Sequence, residues 1–289
     1  MKKQSGLGGK LLILTTALLW STAGVLVKYI PWSSYAIASV RGLIAMLALL
    51  GLRKMGGKAG RVRFTGHNLA AGAAMFLTST LFLTANKLTT AANAIVLQYI
   101  APILILLYTV VVEKRRPSAA EVLLTGTVFL GCVLAFSDKL GGSGSLGDVL
   151  ALLSGVTFAA LLLISRSEKT QAEDGQIIGC GLSFLCCLPF LLLDGTFSLN
   201  LQSAAAMLFL GLVQYSFASF LFAKGVKRTE PAAASIILTV EPIMNPVWVF
   251  FILGEKPGVR ALAGFALVIV AVTLYSLLPL RRLRGEDKL

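Results

Sequence analysis

Charge and histidine are scarce in this chain. Charged side chains make up 13% of its 289 residues, and His67 is the single histidine. It falls beside the basic loop from Arg53 to Arg63 and is expected to be solvated rather than to act as a catalytic base. There is no GxxxxGK[ST] loop to cradle ATP phosphates, no HExxH, and no clear nucleophile with a base. Enzyme and primary-pump readings lose support together, and the chain is expected not to be an enzyme. The four cysteines, Cys132, Cys180, Cys186 and Cys187, fall in apolar segments without metal-ligand spacing. They are expected to be small packing residues, with no disulfide framework, no metal and no cofactor.

Apolar residues are what the chain has instead. They account for 56% of it, and the mean hydropathy is +0.84. This composition describes an all-α integral membrane protein rather than a soluble domain with one core. The net charge of +13 would point to nucleic acid in a soluble protein. Here the basic residues sit in short loops and at the two ends, so they set topology and imply no nucleic-acid partner. The basic N-terminus precedes an apolar run of about 20 residues, longer than a signal-peptide core needs, and is expected to be retained.

Long apolar runs predict ten spans, at 11–30, 33–52, 68–86, 91–112, 119–137, 147–165, 175–193, 203–224, 231–253 and 259–279. With the N-terminus in the cytoplasm, 20 of the 26 basic residues fall on the cytoplasmic side and 5 on the other, with Arg41 inside a span. That bias predicts an even number of helices with both termini inside.

The chain also repeats itself. TTAANAIVLQYIAPILILLYTVVVEKRRP, from Thr89 to Pro117, aligns without a gap to TEPAAASIILTVEPIMNPVWVFFILGEKP, from Thr229 to Pro257. Thr89 and Thr229, Ala92 and Ala232, Pro102 and Pro242, and Pro117 and Pro257 coincide at an offset of 140. That offset pairs spans three to five with eight to ten, so the repeating unit is five helices long. A unit with an odd number of helices must enter the membrane inverted the second time, as in many secondary transporters.

Polar residues inside these spans are functional candidates, because lipid penalises them. Glu241 lies about 16 Å into its span at 1.5 Å per residue. It is a candidate for proton coupling or for holding a substrate amine; a structural role at the break made by Pro242 stands beside these. Arg41 has Glu241 or a substrate carboxylate as its candidate partner, with a purely structural arginine as the alternative. Pro102, Pro242 and Pro246 each remove a backbone donor and free a carbonyl one turn earlier, which predicts kinks and candidate gates. Trp20, Gln98, Tyr99, Gln214 and Tyr215 are candidate cavity-lining residues, since buried amides and polar aromatics need partners. Glu241, Asn245 and Trp248 are spaced i, i+4, i+7 and share one helix face, with Ser235 and Thr239 on the adjacent stripe.

Two copies of a pattern in which Ala-Ala opens a helix, Pro stands in its middle and a Glu-containing basic turn ends it resemble the EamA repeat of the drug/metabolite transporter superfamily. Leu18-Leu19-Trp20-Ser21, Ser39-Val40-Arg41 and Phe222-Ala223-Lys224-Gly225-Val226 are also similar to that family. The resemblance implies ten helices in two inverted five-helix repeats around a central cavity, over residues 1–138 and 146–280, with a basic cytoplasmic tail at 281–289. It implies a monomeric inner-membrane exporter of amino acids or related metabolites working by alternating access, with protons as a candidate coupling ion. Proton-coupled export of cationic drugs, with Glu241 as the counter-ion, is the second expectation.

Overall fold

A computed structural model describes residues 7–23, 26, 30–55, 61–89, 91–137, 145–193, 195, 197–198, 200–253 and 258–277. Every regular element among these residues is helical. In chain order they are α1 (Leu7–Trp20), α2 (Ser34–Met55), α3 (Gly66–Leu88), α4 (Ala91–Gln98), α5 (Ala101–Val111), α6 (Ala119–Phe136), α7 (Ser145–Arg166), α8 (Ala172–Leu192) and α9 (Leu201–Phe209). A π-helical stretch, Leu210–Phe217, leads into α10 (Ala218–Val226), followed by α11 (Pro231–Leu238), α12 (Val240–Leu253) and α13 (Val259–Leu277).

Seven helical segments among the described residues are long and apolar enough to cross a membrane, and three shorter apolar helices, Leu7–Trp20, Pro231–Met244 and Val259–Tyr275, accompany them. Their outward faces are oily. On α6, Leu123 and Leu130 are exposed two turns apart, while Leu124, Val128, Cys132 and Ala135 are buried on the opposite face. A water-soluble helix would reverse that arrangement. The chain is therefore an integral membrane protein.

Two expected spans are each broken in the middle. The span at 91–112 divides at Tyr99-Ile100, and that at 231–253 divides at Thr239. In both cases the break comes just before a proline, which cannot donate to the preceding turn and whose ring disfavours helical geometry in the residue ahead of it. Pro102 thus opens α5 within its first two residues. Pro246, expected to add a further kink, has its side chain outside the described residues.

Close helix contacts run through small residues. An added Cβ on Gly264 of α13 would lie 2.3 Å from the backbone nitrogen of Ala135 and 2.5 Å from the carbonyl oxygen of Gly131, both on α6. Gly42 of α2 meets Cys180, Ser183 and Phe184 of α8, and Gly72 of α3 meets Ile178 of α8. In lipid, where apolar burial contributes little between helices, such backbone approach is the main source of cohesion. The most extensive pairings are α3 with α7, α2 with α8, α6 with α13, α3 with α8 and α1 with α10. Each of these joins the first half of the chain to the second.

Several contacts fix the direction of the helices. Lys10 near the start of α1 donates to the carbonyl of Tyr275 near the end of α13. Gly9 packs against Arg228, just beyond α10. Both described ends of the chain therefore lie at one end of the bundle. At that same end, Arg53 pairs with Asp174, and Arg115 makes a bidentate pair with Glu121, both distances 3.0 Å, and reaches Glu230 at 3.6 Å. The opposite end carries the contacts of Thr89 with Asp148 and of Trp32 with Ser198.

Replacing Gly264 with Val should therefore destabilise the protein by about 1–3 kcal/mol through overpacking. Thermal unfolding in detergent would measure this. Gly126→Val on the outer side of α6 serves as the control, because an added Cβ there meets nothing within 4 Å.

Candidate functional site

Each proline break exposes a carbonyl, and its surroundings differ at the two breaks. The carbonyl four residues before Pro242 belongs to Leu238; the hydroxyl of Tyr99, in the break of the other half, donates to it at 3.3 Å. The same hydroxyl lies 3.3 Å from Oε2 of Glu241. The carbonyl four residues before Pro102 belongs to Gln98. It faces Gly155 of α7, where an added Cβ would fall 2.7 Å from the oxygen. The two broken helices thus meet through Tyr99, which is only 4% exposed.

Amides predicted to point inward do so. Gln98 donates to Ser154 Oγ at 2.6 Å, and Ser154 in turn donates to the Thr78 carbonyl at 3.2 Å. Gln214 is 3% exposed and donates to the Trp20 carbonyl at 3.2 Å. Trp20 packs against Phe222 with ring centroids 5.5 Å apart. Trp248 donates its indole N–H to Ser21 Oγ at 2.8 Å. The end of α1 is therefore held by Gln214 on one side and Trp248 on the other.

Arg41 and Glu241 do not pair with each other. The Arg41 guanidinium donates to Ser79 Oγ at 3.3 Å and lies over the Tyr215 ring, 4.2 Å from its centroid. Glu241 shares the single O–H of Tyr99 with the Leu238 carbonyl. Among the described residues, each of these charges is held by neutral groups alone. On the adjacent stripe, the Ser235 and Thr239 hydroxyls both donate to carbonyls three residues back in their own helix. Both bonds lie in the helix ahead of the break. Of the face predicted for Glu241, Asn245 and Trp248, the Asn245 side chain lies outside the described residues.

Sequence reasoning missed several members of this centre. Leu210–Phe217 is hydrogen-bonded as a π-helix, a geometry frequent at functional sites. Its widened turn carries three consecutive buried polar residues, Gln214, Tyr215 and Ser216. Nothing in LGLVQYSF announces it. Ser79, Ser154 and Ser21 were also passed over, since isolated hydroxyls are common in apolar helices; Gln176, an amide near the start of its span, was passed over too. His67 is exposed in the first turn of α3.

Several buried polar atoms have no partner among the described residues. They include Arg41 Nε, Trp20 Nε1, Gln214 Oε1, Ser216 Oγ, Ser219 Oγ and Gln176 Oε1. Leaving a donor or acceptor unmet costs about 1–3 kcal/mol each, so a concentration of them calls for an occupant. Gln176 and Ser219 share a small void with Leu49 and Arg53.

A membrane-embedded, all-helical bundle with broken helices and unmet polar groups at its centre has the form of a membrane transporter. The chain belongs to the EamA-like transporter family, which it matches over residues 7–137 and 145–277. It is 29% identical to the uncharacterized transporter YwfM of Bacillus subtilis (strain 168), covering 96% of each chain. It is 27% identical to the uncharacterized inner membrane transporter YicL of Salmonella typhimurium, covering 96% of this chain and 98% of that one. A solved crystal structure superimposes with a TM-score of 0.81 at 19% identity, covering 94% of this chain and 98% of that chain, which speaks to the fold alone.

Tyr99→Phe keeps the ring but leaves the Leu238 carbonyl without its donor. Stability should fall by about 1–3 kcal/mol, read as a lowered Tm in detergent. Tyr108→Phe should leave Tm unchanged, because Tyr108 is exposed on the outer face of α5.

Proposed function

We infer that this protein is a secondary transporter of the cytoplasmic membrane that exports small metabolites, amino acids or related compounds, by alternating access to a polar chamber between its two halves. The observation that carries this reading is the pair of separated charges, Arg41 and Glu241, each contacted by neutral partners only. Amino acids are zwitterions at neutral pH. Arg41 offers a bidentate donor suited to a carboxylate, and Glu241 offers an acceptor suited to an ammonium group. A buried unmatched charge is costly, and a zwitterion would offset both costs at once.

Three further features support the reading. The principal helix pairings map onto one another when the halves are exchanged: α1 with α10 becomes α7 with α3, while α2 with α8 and α6 with α13 each map onto themselves. This is the pattern expected of an inverted repeat, with the broken helices α4–α5 and α11–α12 as gates at Pro102 and Pro242. The basic loops share one end of the bundle, which the positive-inside rule assigns to the cytoplasm together with both termini. The relative YicL is named as an inner membrane transporter.

Glu241 has no basic partner among the described residues, and this favours export of organic cations as the second reading. In both readings Glu241 is the proton-coupling candidate, and the protein works as a monomer. Purified protein in liposomes decides between them. Amino acids should exchange across the membrane, their carboxyl-amidated analogues should not, and Arg41→Gln should lower amino-acid exchange at least tenfold. Exchange of organic cations alone, untouched by Arg41→Gln, would instead support the second reading. Glu241→Gln should abolish accumulation driven by a pH gradient while leaving exchange intact; equal loss of both would assign Glu241 to substrate binding or to structure.

A further inference from the structure

The end of the bundle that gathers the basic loops also contains a cavity of about 830 Å³. It is bounded by the end of α2, the segment at 61–63, the start of α8 and the end of α10, and so lies between the two halves. Six of its lining residues are cationic, Arg53, Arg61, Arg63, Lys224, Lys227 and Arg228, against two carboxylates, Glu173 and Asp174.

Asp174 is already committed. It accepts from the Arg53 guanidinium and from the Arg63 backbone N–H at 3.1 Å, while Arg53 also donates to the Arg61 carbonyl at 3.2 Å. This clamp fixes the segment that carries Arg61 and Arg63 at the mouth of the cavity. Lys227 donates to the Ser167 carbonyl, and Lys224 lies 3.8 Å from the centre of the Phe220 ring. The side chains of Arg61, Arg63 and Arg228 have no hydrogen-bond or ion-pair partner among the described residues.

Two features separate this cavity from an ordinary basic loop surface. Thr170 is 2% exposed, lines the cavity, and its hydroxyl has no partner. Burial, and after it the neighbouring Arg166, pulls the Lys227 ammonium below the ordinary lysine range, while Glu168 acts in the opposite direction. Topology rules account for the number of cations at this end. They do not account for the convergence of those cations on one cavity that is also lined by a buried hydroxyl with no partner among the described residues.

We propose that this cavity binds an anionic, phosphate-bearing group. Arginine forks suit phosphate oxygens in a bidentate manner, the Thr170 hydroxyl supplies a neutral donor, and the volume exceeds that of a single phosphate. The group can come from an anionic phospholipid headgroup at the membrane surface or from a soluble phosphorylated compound. The site lies apart from Arg41 and Glu241, and its test does not depend on the transport reading.

Purified full-length protein in neutral detergent is titrated with pyrophosphate, with short-chain phosphatidylglycerol and with short-chain phosphatidylcholine, each against sodium chloride of matched ionic strength. Unfolding temperature and microscale thermophoresis are the readouts. Pyrophosphate, phosphatidylglycerol or both should bind and raise Tm, and which of them does so identifies the source. Arg63→Gln with Arg228→Gln should weaken binding at least about tenfold, the loss of one or more charge-assisted hydrogen bonds. Thr170→Val should weaken it severalfold. Arg116→Gln, exposed and outside the cavity lining, should have no effect. The proposal is overturned if neither anionic probe exceeds chloride, if phosphatidylcholine binds as well as phosphatidylglycerol, or if the double variant binds like the parent.

Discussion

A backbone carbonyl stripped of its donor cannot be left bare in hydrocarbon, and much of this molecule's centre follows from that constraint. Pro242 frees the Leu238 carbonyl, and the group that meets it is Tyr99, which sits at the break Pro102 makes in the other half. One break is thus repaired by a side chain from the other. Because the repairing group is a hydroxyl, its second contact can be the Glu241 carboxylate. Helix breakage, a contact between the halves and a carboxylate among apolar helices thus meet at the same two prolines.

Cohesion elsewhere has a different origin. The helices touch through Gly42, Gly72, Gly131 and Gly264, where backbones come close enough that a methyl group would collide. This leaves the outer faces free to be apolar and the polar groups free to collect inside. Charge is segregated along the bundle. Arg53, Asp174, Arg115, Glu121 and Glu230 neutralise one another at one end, while Arg41 and Glu241 in the interior are tempered by a serine, a tyrosine ring and a phenol. Ion pairs are used where water can help solvate them, and neutral donors where it cannot.

The polar residues Gln98, Tyr99, Gln214 and Tyr215 were legible as inward-facing because an amide or a phenol in an apolar span has few other places to go. All four are buried. The proline breaks were legible for an equally local reason. What escaped notice depends on neighbours distant in the chain: Ser79 beneath Arg41, Ser154 beside Gln98, Ser21 beside Trp248. Serines are frequent in apolar helices, and only the chain's closure tells a functional neighbour from a spacer. Of the partners left open for Arg41, Glu241 is not the one it takes, for a related reason. Opposite sign in a low-dielectric region argues for attraction, but it gives no direction, and the two side chains are each engaged on different helices.

The amino-acid sequence by itself determined that the chain enters the membrane, where its helices break, which end collects the cations and that its two halves share a pattern. Each of these follows from hydropathy, the missing proline donor, or charge counted along a linear string. The tertiary structure alone decided which partner each polar group takes, that residues 210–217 widen into a π-helix, and that Arg61, Arg63, Thr170 and Lys227 surround one cavity. Those outcomes depend on distances between residues far apart in sequence, set by how closely small residues let the helices approach.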